Sequence, residues 1–330
     1  MIAKRKNHFV WRHYLKMWSQ NDRDIFYITQ SHNISSDSIK GLAMERDFYK
    51  IQYLSPIQLE IIRRVSLMAD PDTQKHHAEI LGNYIEIQRR EQLLQMIQIK
   101  NSEAEKILDA LKSNFLEDLH GQNENLAKPI LAKLAEGDFS ILQKSQNLCN
   151  FLMFLGHQAV RTRAFKEVFL AANISATNGD EGVRKELDGC WWFLSYMFGV
   201  NIGSSLFKNK TDLTFCLLEA PKGVNFITSD QPVINVHEEF IDGVAPPEMS
   251  DFYFPISPNF AFMVNDSGRF PNGLSSVAKH FVQRMNEKIS RRAEKTIFGL
   301  TSEDIEPYRK NVGARVDDIQ RHFSGRTAKE

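Results

Sequence analysis

The sequence predicts an α+β fold that is predominantly helical and carries a small, mainly antiparallel sheet. Segments with helical periodicity extend to about residue 207, whereas short apolar runs broken by Pro, Gly, Asn and Asp follow from residue 212. Helices and strands that occupy separate parts of a chain are typical of the α+β class, because alternation would instead indicate a parallel sheet. We expect the sheet to form from the C-terminal half together with one N-terminal strand.

The N-terminal segment predicts a short amphipathic helix over 8–18 and a strand over 24–29. Apolar residues at helical spacing indicate the helix, and the run DIFYIT after an Asn-Asp turn indicates the strand. The next helix is expected to begin at a capping box, in which Ser55 is the N-cap, Pro56 the first helical residue and Gln58 the third.

Three further helices are expected in the middle of the chain, over 72–101, 102–121 and 123–138. Gly121 is expected to end the second of them, and Pro129 to lie near the start of the third or at a kink. The polar, Gln-rich composition of 73–120 is typical of exposed helices. We therefore expect a single main domain, 1–330, with a helical excursion or subdomain at 56–137 inside it.

The clearest helical pattern covers 139–172, and a second apolar helix is expected over about 185–207. Gly and Ser interrupt this second helix, so we interpret it as a buried helix rather than a membrane span. The apolar runs after residue 212 predict four or five strands. An amphipathic helix over about 275–298 and a shorter one over 303–317 are expected to complete the fold.

Composition indicates an ordinary globular protein and argues against several classes. Apolar residues make up 42% of the 330 residues and charged residues 25%. Lys plus Arg and Asp plus Glu are equal at 41 each, so no overall basic field favours nucleic acid, although a local basic groove stays open as an alternative. Three cysteines without a CxxC motif, and no apolar signal segment, predict a cytoplasmic protein without disulfides or membrane attachment.

Two polar sets lie beside these apolar elements and are candidates for a site. Gln158 and Arg161 lie on or beside the apolar stripe of the 139–172 helix, where long polar groups must be hydrogen-bonded or face a cavity. Asp230 follows a predicted buried strand, directly after Thr228 and Ser229. Internal pairing of Gln158 and Arg161, and an Asx turn at Asp230, are the alternatives to a functional site, and both stay open.

Five segments of the chain also resemble, in order, the motifs of one protein family. NHFVWRHYLKMWS resembles a His-Tyr-Val-Pro-x-x-Tyr-Leu-x-x-Phe opening, FLGHQAVRTRAF a Gln-x-x-Arg-Thr-Pro helix, and FITSDQPVI a Thr-Ser-Asp-Asn-Pro-Val strand. FYFPISPNFAF resembles a Pro-Leu-Ser-Pro strand, and MNEKISRRAEKTIFG a closing helix that contains Asn. The order and spacing are similar over about residues 7–299 to those of a large bacterial family known as domain of unknown function 4238.

The resemblance implies a shared set of residues rather than a reaction, because the family's function is not established. The residues that match its motifs are His8, Tyr14, Leu15, Gln158, Arg161, Thr162, Ser229, Asp230, Pro232, Pro255, Ser257, Pro258 and Asn286. Three positions depart from the pattern: Trp11 and Arg163 stand where the family has proline, and Gln231 where it has asparagine. These departures affect loop geometry more than the polar set.

The polar residue types favour a hydrolase of phosphodiester or nucleotide substrates, nuclease-like in character. His8 is expected to act as general base or acid, Arg161 to stabilise developing charge and Gln158 to position substrate or water. Asp230 is expected to orient His8 or to hold a divalent metal such as Mg²⁺, for which it is the best single candidate. The expected substrate-binding residues are Thr228, Ser229 and Ser257.

The alternative is a non-catalytic sensor or partner-binding subunit of a bacterial toxin or phage-defence system. The polar set would then be a structural network in which Asp230 and Arg161 form an ion pair. The helices over 73–137 would bind a protein partner or a second copy of the chain. Nucleic-acid binding through the local basic excesses at 3–6 and 88–90 is a third expectation.

Overall fold

The expected α+β class is confirmed in a computed structural model that describes residues 2–29, 31–97, 102–177, 179–237 and 248–315. Within these residues the helices, in chain order, are α1 (Arg12–Leu15), α2 (Pro56–Leu67), α3 (Pro71–Met96), α4 (Ser102–Ala135), α5 (Ser145–Val160), α6 (Arg163–Ala176), α7 (Glu181–Lys208), α8 (Lys279–Arg292) and α9 (Ser302–Ile305). Short 3₁₀ turns occupy Lys16–Trp18, Phe139–Gln143 and Glu306–Asn311.

The strands of the described residues form three small sheets. In chain order they are β1 (Lys6–His8), β2 (Asp24–Ile28), β3 (Ile34–Ser38), β4 (Met44–Arg46), β5 (Thr214–Glu219), β6 (Thr228–Ser229), β7 (Ile234–Asn235), β8 (Phe252–Pro255), β9 (Phe260–Asn265), β10 (Gly273–Ser276) and β11 (Ile297–Gly299). β1 pairs with β4, a second sheet has the order β10-β5-β9-β8-β7, and a third has the order β3-β2-β11-β6. Every pairing is antiparallel except β10 with β5.

The predicted N-terminal strand joins the C-terminal half, but through a sheet of its own. β2 pairs with β11, whose Phe298 lies opposite Tyr27, and β11 pairs in turn with β6. The helix predicted over 275–298 was therefore too long, since α8 ends at Arg292 and the apolar residues Ile297 and Phe298 belong to a strand. Both are fully buried, and sheet pairing overrides the helical pattern that precedes them.

The segment predicted as one helix over 8–18 begins as a strand. β1 is followed by α1 and a 3₁₀ turn, so the helical part starts only at Arg12. The apolar spacing was nevertheless informative, because Val10, Tyr14, Leu15 and Trp18 are all fully buried.

The capping box at the start of α2 is confirmed, whereas the two helices expected to meet near Gly121 are one. The Ser55 hydroxyl accepts from the backbone N–H of Gln58, and the Gln58 side-chain oxygen accepts from the backbone N–H of Ser55. α4 runs through Gly121 and Pro129 without a break. Burial of neighbouring apolar residues such as Ile130 outweighs the local cost of glycine and proline in a helix.

The helix predicted over 139–172 is divided at Arg161 and Thr162. Arg161 leaves helical geometry with φ −78° and ψ 3°, and Thr162 is extended with φ −83° and ψ 157°. The Thr162 side chain accepts from the backbone N–H of Phe165 at 3.3 Å, which caps α6. Arg163 is thus the first residue of a helix, a position that tolerates proline because its N–H needs no intrahelical partner.

α5 and α7 cross at unusually close range because glycines meet at the contact. A Cβ added to Gly156 would overlap the carbonyl oxygen of Gly199, and one added to Gly199 would overlap the His157 ring. The His157 imidazole therefore lies between the two helices, in a space that the side chain of a larger residue at position 199 would fill. Among the described residues, no helix combines the length and the apolar character that crossing a membrane requires.

Candidate functional site

A fully buried arginine marks the place where α4 meets the end of α5. The Arg161 side chain is 1% exposed, and its Nη2 donates to Glu124 Oε1 on α4 at 2.7 Å. With the Gln158 amide in the orientation that hydrogen bonding requires, its oxygen accepts from Arg161 Nη2 at 2.6 Å and from Nε at 2.7 Å. A carboxylate and an amide therefore fix the guanidinium in place.

The pKa values of both members of this pair are raised, which favours the charged form of the arginine and the protonated form of the carboxylate. Burial opposes the charged form of Arg161, but Glu124, Tyr49 and Glu117 together outweigh it, so the arginine pKa is raised. Burial also raises the pKa of Glu124, against the opposing attraction of Arg161. The Glu124 side chain is 16% exposed, so solvent reaches the pair on its α4 side.

His8, at the end of β1, has a ring nitrogen without a partner. Its Nε2 is buried and makes no hydrogen bond in the part of the chain that the structure describes. Burial lowers the pKa of His8, and the charges of Arg12 and Arg161 lower it further. These effects favour the neutral form of the His8 imidazole, whose Nε2 is not engaged by a described residue.

Acidic residues of α4 hold β1 against this region. Asn7 Nδ2 donates to Glu117 Oε2 at 2.9 Å, and Lys4 Nζ lies 2.6 Å from Asp118 Oδ1. Arg5 pairs with Asp47 at 3.0 Å and also with Asp109. Lys4 and Arg5 of the local basic excess at 3–6 are therefore paired with carboxylates, and nucleic-acid binding there stays a prediction.

We define the polar centre as His8, Glu124, Gln158 and Arg161. Three of the four residues expected to be catalytic belong to it, since Arg161 contacts Gln158 and its charge acts on His8. Glu124 was not expected from the sequence. It lies in a helix whose polar, charged composition indicated an exposed surface, and a single sequence carries no signal that separates it from its acidic neighbours.

The structure places Asp230 elsewhere. Its Oδ1 accepts from the backbone N–H of Glu294 at 2.9 Å, and its Oδ2 accepts from those of Lys295 at 2.7 Å and Thr296 at 3.2 Å. The expected Asp230–Arg161 ion pair is wrong, because Arg161 pairs with Glu124. We define the backbone clamp as Asp230 with these three N–H groups, which fasten the end of α8 to β6.

The Asp230 carboxyl of the clamp has a raised pKa, and the hydrogen-bond donors around it are unsuited to binding a cation. Burial raises the pKa of Asp230 to about 7 and the neighbouring Glu294 adds to the shift, although the three backbone N–H groups oppose it. N–H groups already face both carboxylate oxygens, where a metal would need free lone pairs. In the described ranges, no group of three or more His, Cys, Asp or Glu side chains is arranged to hold a metal ion.

The three residues expected to bind substrate contact the protein's own framework. The Thr228 hydroxyl lies 2.7 Å from the Tyr14 hydroxyl, Ser229 Oγ donates to the Gln231 carbonyl at 2.9 Å, and Ser257 Oγ accepts from Phe260 N at 3.2 Å. Thr228, Ser229 and Ser257 are buried. Their roles in binding stay predictions, and the geometry gives them structural contacts.

The family's asparagine position, here Gln231, joins the two regions. Gln231 Nε2 donates to the carbonyl of Ala159 at 2.9 Å, and its oxygen accepts from the Thr162 hydroxyl. It therefore binds a free carbonyl at the end of α5. Arg163 adds an ion pair from Nε to Glu294 Oε1 at 3.0 Å, which ties the start of α6 to the segment that follows α8.

A cluster of buried rings, also not predicted, adjoins the polar centre. The His120 and His157 rings stand edge-on with centroids 5.2 Å apart, and Tyr49 lies 4.8 Å from His120. Within the described residues, both nitrogens of each histidine lack a hydrogen-bond partner, as does the Tyr49 hydroxyl. The sequence signal was slight: His157 is next to Gln158, and His120 lies at the end of a segment that looked exposed.

Comparison with known proteins connects this chain to one family. The family model described as protein of unknown function (DUF4238) matches residues 6–303. No curated protein and no solved structure matches the chain. The match spans β1 through the start of α9 and includes both the polar centre and the backbone clamp. The resemblance found in the five motifs is confirmed, and the chain belongs to the DUF4238 family.

Proposed function

We propose that the protein is a hydrolase of phosphodiester or nucleotide substrates and that the polar centre is its catalytic site. One observation carries this proposal: His8 has a buried Nε2 that makes no hydrogen bond among the described residues, and burial lowers its pKa, which favours the neutral ring. A neutral imidazole with an unused ring nitrogen is suited to remove a proton from water. Arg161, held by Gln158, supplies a cation whose charge acts on His8.

The remaining members of the polar centre support an anionic substrate. Glu124 neutralises Arg161 in the resting protein, and burial raises the Glu124 pKa. An arriving phosphate group would favour proton uptake by Glu124, which leaves the guanidinium to pair with the phosphate oxygens. The protonated Glu124 is then positioned to donate to the leaving group. In this proposal Asp230 stabilises the fold and carries no catalytic role.

The test is a nuclease and phosphodiesterase panel on the full-length protein, with DNA, RNA and nucleotides, in Mg²⁺, in Mn²⁺ and in chelator. We expect hydrolysis that His8→Ala reduces by about 10²- to 10⁴-fold, the usual worth of a general base. His280→Ala is the matched control, because His280 is an exposed histidine of α8 outside the polar centre and its loss should leave the rate within about twofold.

Two results would contradict the proposal. One is a well-folded wild-type protein that hydrolyses nothing in the panel. The other is a rate that His8→Ala and Glu124→Gln both leave unchanged while their melting temperatures match the wild type. The chelator arm shows whether a divalent metal is required, since Mg²⁺ could enter with the substrate.

The second candidate is a partner-binding subunit, and exposed apolar side chains favour it. Tyr53, Leu93 and Met96 are 52%, 56% and 78% exposed. The Gln92 amide donates to the Tyr53 hydroxyl at 2.8 Å, so these residues lie together where α3 ends. Apolar groups gathered on one surface are typical of protein contacts. In this role, in a toxin or phage-defence assembly, the polar centre is a structural network.

Self-association is the direct test of this second candidate. We expect a concentration-dependent dimer in analytical ultracentrifugation, which Leu93→Glu combined with Met96→Glu abolishes. Ile2→Glu is the matched control, because Ile2 is 88% exposed on a different element. A monomer at every concentration would contradict a homodimer formed through this surface.

A further inference from the structure

A continuous line of rings runs from the surface of α3 to the polar centre. His76 Nε2 lies 3.2 Å from the Tyr196 hydroxyl, and the Tyr196 and His157 ring centroids are 5.0 Å apart. His157 and His120 follow at 5.2 Å, and His120 and Tyr49 at 4.8 Å. We define these five residues as the ring array; they come from α3, α4, α5, α7 and the segment that follows β4.

The inner half of the array leaves its hydrogen-bonding groups unused. His120, His157 and Tyr49 are 2%, 1% and 1% exposed, and their ring nitrogens and hydroxyl find no partner elsewhere in residues 2–29, 31–97, 102–177, 179–237 and 248–315. Buried polar groups are paired in nearly all proteins, and an unpaired one costs about 1–3 kcal/mol. Five such atoms lie in this one cluster, and convergent buried polar groups of this kind are the usual partners of bridging water.

The array has one end in solvent and the other at the polar centre. His76 is half-buried on α3. At the other end the charge of Arg161 acts on Tyr49, His120 and His157. The glycines of the α5–α7 crossing create the space for His157, since a Cβ on Gly199 would overlap its ring. The fold thus provides room for a polar ring where close apolar packing would be the ordinary arrangement.

We propose that the ring array, with bridging water, is a proton path between the polar centre and solvent at His76. The proposal rests on the proposed function, because a hydrolase that takes a proton at His8 and gives one at Glu124 must exchange protons with water. A path through α3, α5 and α7 would allow that exchange while substrate covers the half-buried side of the polar centre.

The transfer balances without any redox step. A neutral imidazole accepts a proton on one ring nitrogen and releases another proton from its second nitrogen, so one proton enters the array for each proton that leaves. Each ring ends in the opposite tautomer, and a transfer in the reverse direction restores it. Burial and the Arg161 charge lower the His157 pKa to about 3, which disfavours a stored imidazolium, so uptake on one ring nitrogen and release from the other must occur together.

Exchange of the ring N–H protons with water tests the path independently of activity. In full-length protein labelled with ¹⁵N-histidine, we expect the N–H protons of His120 and His157 to exchange rapidly with solvent although both rings are buried. Tyr196→Phe removes the hydroxyl next to His76 and should slow that exchange by at least about tenfold. Tyr253→Phe is the matched control, a buried tyrosine of the sheet core whose loss should leave exchange unchanged.

Either of two results overturns the proton path. The first is slow exchange at His120 and His157 in the wild-type protein, which would show a dry cluster. The second is exchange that Tyr196→Phe and His76→Gln both leave unaltered; His76→Gln serves on its own if the tyrosine variant does not fold. An inactive hydrolase panel would overturn the proposed function but would leave these exchange rates as they are, so the two failures are distinguishable.

Discussion

The backbone clamp and the polar centre are both buried and both carry charged residues, but their polar atoms find partners in different ways. Asp230 directs its two oxygens at three main-chain N–H groups. In the polar centre and the adjoining ring array, side chains pair with side chains, and His8, His120 and His157 present nitrogens that no described residue satisfies. A closed set of main-chain contacts is typical of a structural role, whereas the unpartnered histidine nitrogens are the observations on which the proposed site and the proposed proton path rest.

The family-motif residue Asn286, on α8, behaves like the clamp. Its Oδ1 accepts from Ile227 N at 3.1 Å and its Nδ2 donates to the Asn225 carbonyl at 2.9 Å, while Trp18 Nε1 donates to the neighbouring Phe226 carbonyl at 3.0 Å. These contacts satisfy the main chain just before β6, where regular strand pairing is short. A shared motif residue is therefore not by itself a catalytic residue in this protein.

The largest expected effect is in the polar centre. Arg161→Ala removes the cation from a largely buried carboxylate and should lower the free energy of unfolding by about 3–5 kcal/mol. The double variant Arg161→Met with Glu124→Gln removes both charges and should recover most of that loss. The measurement is urea denaturation of all three proteins. Equal losses of unfolding free energy in the single and double variants would show that the unpaired Glu124 carboxylate is not the cause of the destabilisation.

The backbone clamp should show a smaller loss. Asp230→Ala leaves the N–H groups of Glu294, Lys295 and Thr296 without their acceptor and should cost about 2–3 kcal/mol, because buried donors lose their desolvation compensation. Urea denaturation measures the loss of stability, and the hydrolase panel run in parallel measures the activity of the variant. At temperatures where the variant is folded we expect wild-type activity, and a catalytic defect there would return Asp230 to the site.

The clamp also predicts a pH dependence of stability. Burial raises the pKa of Asp230 to about 7 from its ordinary value of 3.8, so between about pH 4 and 7 the folded protein holds a proton that the unfolded chain releases. Stability should therefore fall as pH rises through this window, by at most about 1.4 kcal/mol per pH unit from this group.

Asp230→Asn isolates that contribution. The variant should show a shallower slope of unfolding free energy against pH, measured from pH 5 to 8. Some slope should remain, because burial raises the pKa of Glu124 and Glu294 in the same direction. An unchanged slope would show that the three N–H groups keep Asp230 ionised throughout the range.

The sequence predicted the fold class and most element positions, because apolar periodicity and local capping determine them. Ser55 with Gln58 marked a helix start correctly, and the apolar spacing around Tyr14 identified buried residues. The failures occur where tertiary contacts decide: α4 continues through Gly121 since its apolar side is buried, and β11 replaces the end of a helix since the sheet requires a strand. Such contacts lie far apart in sequence and leave no local pattern.

The contacts of the candidate site were predicted only in part, for the same reason. Gln158 and Arg161, which the structure joins, stood out because polar residues beside an apolar stripe are informative and because the family motifs contain them; that they and His8 form a site stays a prediction. Glu124 and His120 lie on a polar helix, where an acid or an imidazole is unremarkable until the fold shows which side is covered. The expected Asp230–Arg161 pair was wrong since the partners of Asp230 are main-chain N–H groups, which every residue type except proline provides.

The smallest predicted effect compares two buried tyrosines and tests whether satisfied groups are the structural ones. The Tyr14 hydroxyl lies 2.7 Å from Thr228 Oγ1 and donates to the Pro255 carbonyl at 2.8 Å, whereas the hydroxyl of Tyr253 has no partner in the described part of the chain. Tyr14→Phe should therefore cost about 1 kcal/mol of unfolding free energy, and Tyr253→Phe should be neutral or stabilising. Both rings are fully buried, so the substitutions remove the same atom from similar surroundings, and thermal denaturation of the pair measures the hydrogen bonds alone. An equally large loss at Tyr253 would show that its buried hydroxyl is hydrogen-bonded to water. Unpaired atoms in the ring array would then not distinguish it from other buried groups, and the exchange of its ring protons with solvent would be the deciding measurement.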